Sequence, residues 1–191
     1  MNAHGAAVGL NQIPTAGPWA LPINSLELRH LLHDHRNPML ESIDHINIVV
    51  ADLEAMLRFY TQVLGLKLSK RVTISGPWIE KVVGLKSVCG EVAYLDPPSG
   101  PRIELIHYTR PAGEAPANLD RSNTHGIRHL AFRVDNIDEI FARLSDAGVK
   151  FLSDVQQVPD SQVTYAGGVR KRLVYFHDPE GNLLELCEYK A

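Results

Sequence analysis

The hydrophobic pattern changes period along the chain, and it does so twice in the same order. Ile43-Asp44-His45-Ile46-Asn47-Ile48-Val49-Val50 is rich in β-branched residues and reads as a strand. Asp52 stands where an N-cap belongs. Leu53, Met56, Leu57, Tyr60 and Leu64 then recur at helical spacing until Gly65. Strands are predicted over 66–74, 88–95 and 102–108, with an irregular segment or short helix over 77–85. After a linker rich in Pro, Ala, Asn and Gly the order returns. Residues 127–134 read as a strand, and Asn136 with Glu139 forms a capping-box pattern. Ile137, Ile140, Phe141 and Leu144 make a helical stripe ended by Gly148. A short strand is predicted over 149–152, a polar loop over 156–168, and two final strands over 169–177 and 182–189.

Each half therefore reads βαβββ, and the repeat is an internal duplication of about 65 residues, the kind of period that has to be settled before any motif is interpreted. The expected organisation is an N-terminal extension over 1–40, a first module over 43–108, a linker over 109–125 and a second module over 126–189. The fold class is α/β (α+β), with the two modules forming a curved mixed sheet. In the extension, Ser25 can cap a helix to about His35, with Leu26, Leu28, Leu31 and Leu32 on its apolar side. His30, His33 and His35 are read as a solvated face, since no Cys or carboxylate accompanies them at ligand spacing.

The duplication matters because it carries polar residues with it. His45 and His129 occupy matching places on the first strands, and Glu104 and Glu185 on the last. In both hairpins the Glu lies four residues after a Gly (Gly100, Gly181), is followed by Leu, and precedes a Tyr by four (Tyr108, Tyr189). A carboxylate in an apolar strand is costly unless it is paired or ligates a metal. Two imidazoles and two carboxylates suit one divalent ion, Zn, Ni, Co, Mn or Fe, with positions left for substrate oxygens. Strand parity puts Asn47 on the His45 face and Arg133 on the His129 face, so both are candidate substrate contacts. Trp78, in the segment between the second and third strands, is a candidate pocket wall. The run Arg170-Lys171-Arg172 is either an anion contact or a solvated edge. His107 and His125 are read as structural.

Composition limits the alternatives. Net charge is −3, from 19 basic and 22 acidic residues, with no long basic stripe, so nucleic acid is not an expected partner. No apolar run reaches the ~20 residues of a membrane span. The first 40 residues lack a signal-peptide core and residues 1–25 contain no Arg or Lys, so a cytoplasmic location is expected. Cys89 and Cys187 are expected to be reduced, partly buried thiols.

The paired repeat resembles the vicinal oxygen chelate superfamily, which includes glyoxalase I, methylmalonyl-CoA epimerase, fosfomycin resistance enzymes, extradiol dioxygenases and bleomycin resistance proteins. The resemblance rests on Asp44-His45-Ile46-Asn47-Ile48-Val49-Val50 with Asp52-Leu53, Phe59-Tyr60 with Leu64-Gly65, Gly126-Ile127-Arg128-His129-Leu130-Ala131-Phe132, and Asp178-Pro179-Glu180-Gly181 with Leu184-Glu185-Leu186. It covers about residues 43–189. It implies a glyoxalase-like, metal-dependent lyase or isomerase that moves a proton beside a chelated carbonyl. Glu185 is the first candidate base and Glu104 the second. The alternatives are a nonhaem iron dioxygenase, against which a Glu stands at the position where such an enzyme would place its second His, and a metabolite- or drug-binding protein without turnover. A small-molecule substrate is the implied partner, and the resemblance also admits a homodimer.

Overall fold

The computed structural model describes residues 40–191. The sequence-predicted helix over 25–35 and its three histidines lie outside the described residues. One compact unit spans Ile43–Ala191.

Its first half runs β1 (His45–Val49), α1 (Leu53–Arg58), β2 (Lys67–Ser75), α2 (Pro77–Val83), β3 (Cys89–Asp96) and β4 (Arg102–Arg110). The second runs β5 (His129–Arg133), α3 (Ile137–Asp146), β6 (Gln156–Gln157), β7 (Arg170–His177) and β8 (Leu183–Lys190). Each half makes a four-stranded mixed sheet, in the orders β1-β4-β3-β2 and β5-β8-β7-β6. The first and last strands of each half pair in parallel, the others antiparallel. The parallel pair needs a crossover, which α1 and α3 begin.

Local chemistry explains these elements. The Asp52 side chain accepts from the Ala55 N–H at 2.9 Å, capping α1. Asn136 caps α3 through the Glu139 N–H at 3.3 Å, and its own amide donates to Glu139 Oε2 at 3.1 Å. Pro77 begins α2 as a first-turn proline. Gly84 ends it in the left-handed region, with φ 71°. The segment over 77–85 is thus a helix. The stripe from Leu53 is not uniform: after Arg58 it widens into a π-helical turn, Phe59–Val63, closed by Leu64 N–H donating to the Phe59 carbonyl.

Two expectations fail in the second half. Residues 149–152 form no strand; Phe151 makes only an isolated bridge to Phe176. The strand hydrogen bonds at that edge go instead to Gln156 and Gln157, opposite Leu173 and Arg172. Phe151 is held by its ring, 4.3 Å from Phe141 and 5.5 Å from Phe176, so side-chain packing rather than a ladder fixes it.

One hydrophobic core joins the halves. Met56, Tyr60 and Leu105 of the first are in the same cluster as Ile137, Phe176 and Leu184 of the second. The Asp178–Gly181 turn adds polar ties across the boundary. Asp178 is 5% exposed and takes the Tyr60 hydroxyl at 3.1 Å. Glu180 accepts from the Ala51 and Asp52 N–H groups just ahead of α1. Among the described residues no helix is long and apolar enough to cross a membrane.

Candidate metal and substrate site

The parallel registers place the candidate ligands identically in the two halves. His45 pairs with Arg102, and Glu104 lies two residues on; His129 pairs with Leu183, and Glu185 lies two residues on. In each half the imidazole therefore meets the carboxylate diagonally across a parallel pair, on one face. His45 Nε2 is 3.5 Å from Glu104 Oε2, and His129 Nε2 is 3.2 Å from Glu185 Oε2. Two donors each about 2.1 Å from one ion stand roughly 3.0–3.4 Å apart, so both spacings suit shared coordination. Among the described residues the donors gather as two pairs; no group of three or more His, Cys, Asp or Glu side chains forms a single cluster.

The surroundings of each pair prepare it for ligation. His45 Nδ1 is 2.8 Å from Asp44 Oδ2, which turns Nε2 toward Glu104. That hydrogen bond, helped by the nearby Arg102 charge, holds the Asp44 carboxyl below its usual range. The Asn47 amide donates to Glu104 Oε2 at 3.1 Å. The His129 ring lies 5.1 Å from the Tyr175 ring. Glu104 and Glu185 are both buried, at 8% and 2% exposure. Glu185 Oε1 is buried and has the Lys171 ammonium 2.7 Å away. The oxygens facing the imidazoles are Glu104 Oε2 and Glu185 Oε2, and a set of two imidazoles and two carboxylates at these spacings fits a divalent ion.

In the sequence Lys171 is one of three consecutive basic residues, Arg170-Lys171-Arg172. The strand separates them: Arg170 reaches Asp160, and Lys171 turns to the Glu185 face. Arg172 turns to the opposite face, where it grips Asp138 at 2.6 and 2.7 Å. Burial lowers the Lys171 pKa, but Glu185 outweighs it, so the ammonium is held above its usual value.

Two residues of this face escape a ligand-by-ligand reading. Tyr94 pairs with Glu104 across β3–β4, and Tyr175 pairs with Glu185 across β7–β8. Each precedes its Glu by ten residues, so the duplication itself could have revealed them. The Tyr94 pKa is raised, first by its hydrogen bond to Glu104; that of Tyr175 is raised first by burial, then by the Glu185 charge. Cys187, on the same face, is 5% exposed, and its thiol pKa is pushed up chiefly by burial.

The other candidates fall in different places. A cavity of about 790 Å³ between the β1 and β5 edges is lined by Asn47, Val49 and Tyr108 and by His129. A second, of about 760 Å³, is lined by Arg133, Arg143 and the Pro97–Pro101 turn. Trp78 is 59% exposed on α2 and lines neither. His107 Nδ1 bonds the Val50 carbonyl at 3.1 Å, a structural role.

With the two βαβββ halves and their repeated His–Glu pairs in view, comparison with known proteins gives the class. The chain belongs to the Glyoxalase/Bleomycin resistance protein/Dioxygenase superfamily, whose family model matches residues 42–186. A 2-epi-5-epi-valiolone epimerase from Actinomyces sp is 28% identical, over 81% of this chain and 82% of the relative. YaeR of Escherichia coli (strain K12) is 30% identical, over 78% of this chain and 97% of the relative. The crystal structure of a glyoxalase family protein from Bacillus cereus is 32% identical with a TM-score of 0.67, covering 82% of this chain and 99% of that one.

Proposed function

We propose that the protein is a metal-dependent isomerase or lyase of glyoxalase type, moving a proton on a carbon beside a carbonyl in a small oxygenated substrate. The reading is carried by the repeated His–Glu pair, with Nε2 set 3.5 Å and 3.2 Å from a buried carboxylate at the same diagonal register in both halves. Similarity to an epimerase supports the same class of chemistry. His45, Glu104, His129 and Glu185 would hold one divalent ion. When bound, it supplies Lewis acidity that stabilises the negative charge developing on a chelated carbonyl oxygen.

The protein's own groups supply the rest. Asp44 fixes the His45 ring and Asn47 fixes the Glu104 carboxylate. Glu185 takes the proton from the substrate carbon and returns it to the neighbouring carbon on the same face. Inversion at the first carbon instead needs Glu104, the second base, to deliver a proton to the opposite face while Glu185 keeps the one it took. The Lys171 ammonium stands 2.7 Å from Glu185 Oε1, beside the carboxylate that takes the proton. Tyr94 and Tyr175, each opposite a glutamate, place hydroxyl donors at the same face. The apolar core beneath both sheets keeps water from the far side of each pair.

Metal analysis by mass spectrometry tests this on protein purified without chelator, alongside His45→Ala and Glu185→Ala. The expected result is about one divalent ion per chain, with affinity weakened by at least ~10-fold in both variants. An ion retained by both variants, or none taken up by the wild type on reconstitution, overturns the reading. Turnover that consumes oxygen and requires iron would move the protein to the dioxygenase alternative.

A further inference from the structure

The two halves agree where an ion would bind and disagree two residues further along the strands. Tyr108 and Tyr189 correspond, each four residues past its glutamate. Around Tyr108 the face is apolar: Val49 lies four residues past His45, and Gly90 pairs with Tyr108. The same positions around Tyr189 hold cations. Arg133 lies four residues past His129, and Lys171 pairs with Tyr189. The Arg133 guanidinium is 5.6 Å and the Lys171 ammonium 5.8 Å from the centre of the Tyr189 ring. Tyr165 packs edge-on against that ring at 5.5 Å. Lys171 is paired with Glu185. Arg133 has no carboxylate within ion-pair distance among the described residues. At these positions the second half thus holds two cations against one carboxylate where the first holds none; the first half's own cation on this face, Arg102, lies at the other end, paired with His45 and over the Tyr94 ring.

We propose that Arg133, supported by Lys171 and Tyr189, binds an anionic group of the substrate, a carboxylate or phosphate, beside the chelated oxygens. This rests on the ion site proposed above. Arg133 pairs with Cys187, two residues past Glu185, so the anion sits roughly 6–7 Å along the strand from the glutamate. That spacing suits a short substrate with its charge two or three bonds from the chelating oxygens. A guanidinium held by an aromatic ring and free of carboxylates is preorganised for a two-oxygen anion. The asymmetry also has a purpose. Two matched His–Glu pairs cannot tell one end of a chelated substrate from the other. A cation on one side can, and it fixes which carbon faces Glu185.

Calorimetric binding of three hydroxamates to the metal-loaded protein tests the subsite. Acetohydroxamate carries no anion, succinohydroxamate adds a carboxylate and phosphoglycolohydroxamate adds a phosphate. At least one anionic probe is expected to bind about tenfold or more tighter than acetohydroxamate. The stronger of the two identifies the anion. Arg133→Gln should reduce that advantage to within about threefold, Arg133→Lys should keep part of it, and acetohydroxamate affinity and metal content should not change in either. Equal affinities in the wild type, or an advantage that survives Arg133→Gln, overturns the subsite. If the ion reading is what fails, no hydroxamate chelates, and inorganic phosphate takes over as the probe. Phosphate binding lost in Arg133→Gln then sustains the subsite, and its absence in the wild type overturns it.

Discussion

A single strand residue can serve the site or the scaffold depending only on its parity. On β8, Glu185 faces the site, while Glu188, three residues on, points to the opposite face at 1% exposure. Burial alone would raise the Glu188 pKa. The Lys190 ammonium at 2.9 Å, the Ile137 N–H at 3.1 Å and the Arg172 charge outweigh it, and the pKa lies below the usual value. A depressed carboxyl pKa means that the unfolded chain binds the proton more readily. The stabilisation from Glu188 is therefore complete above the unfolded value, about 4.3, and disappears as pH falls through the lower folded value. Thermal melts between pH 3 and 7 should show Glu188→Gln with a lower melting temperature at neutral pH and a shallower acid limb; an unchanged acid limb would rule this out. The sequence showed the four ligand candidates because duplication repeats them. It hid Lys171, which stands between two arginines of equal charge and is distinguished only by the face its strand gives it. Trp78 is legible only as a large aromatic residue in an insert, and α2 leaves it 59% exposed.

At the scale of elements, most boundaries were legible, because caps and periodicity are local. What was not legible depended on partners. The stripe Leu53 to Leu64 has helical spacing whether its hydrogen bonds run four residues or five, so the π-turn at Phe59–Val63 leaves no mark in the pattern. Gln156 and Gln157 look like loop residues, yet β7 offers them an open edge. The Asp178–Gly181 turn was legible as a turn, with Gly181 at φ 86°, where a side chain would be strained. Its second use was not. Its carboxylates tie the halves together through Tyr60 and the N–H groups of Ala51 and Asp52. Tyr60→Phe removes one donor from buried Asp178, which keeps the Asn182 amide, and should cost about 1 kcal/mol. Glu180→Ala should likewise cost about 1 kcal/mol, the worth of a lost helix-terminus acceptor. Urea unfolding measures both. Losses within error of zero would mean that the shared core alone joins the halves.

For the whole molecule, the question is which two His–Glu pairs would share the ion proposed above. The cavity between the β1 and β5 edges is bordered by Asn47, hydrogen-bonded to Glu104, and by His129, beside Glu185. One chain therefore sets a member of each half of the site on a common cleft, and the apolar core and the Glu180 and Asp178 ties hold those halves to each other. From that arrangement the two pairs of the same chain should supply the ion. Mixing His45→Ala with His129→Ala under denaturing conditions and refolding them together separates the cases. Each variant lacks one imidazole in every chain, so a site built within a chain stays defective in any mixture. A site shared between two copies would be intact once in each mixed dimer and would restore metal to about a quarter of the wild-type level. The expected outcome is no recovered metal above that of either variant alone. Recovery near a quarter would show instead that the first half of one copy works with the second half of another, and that a dimer is required for chemistry.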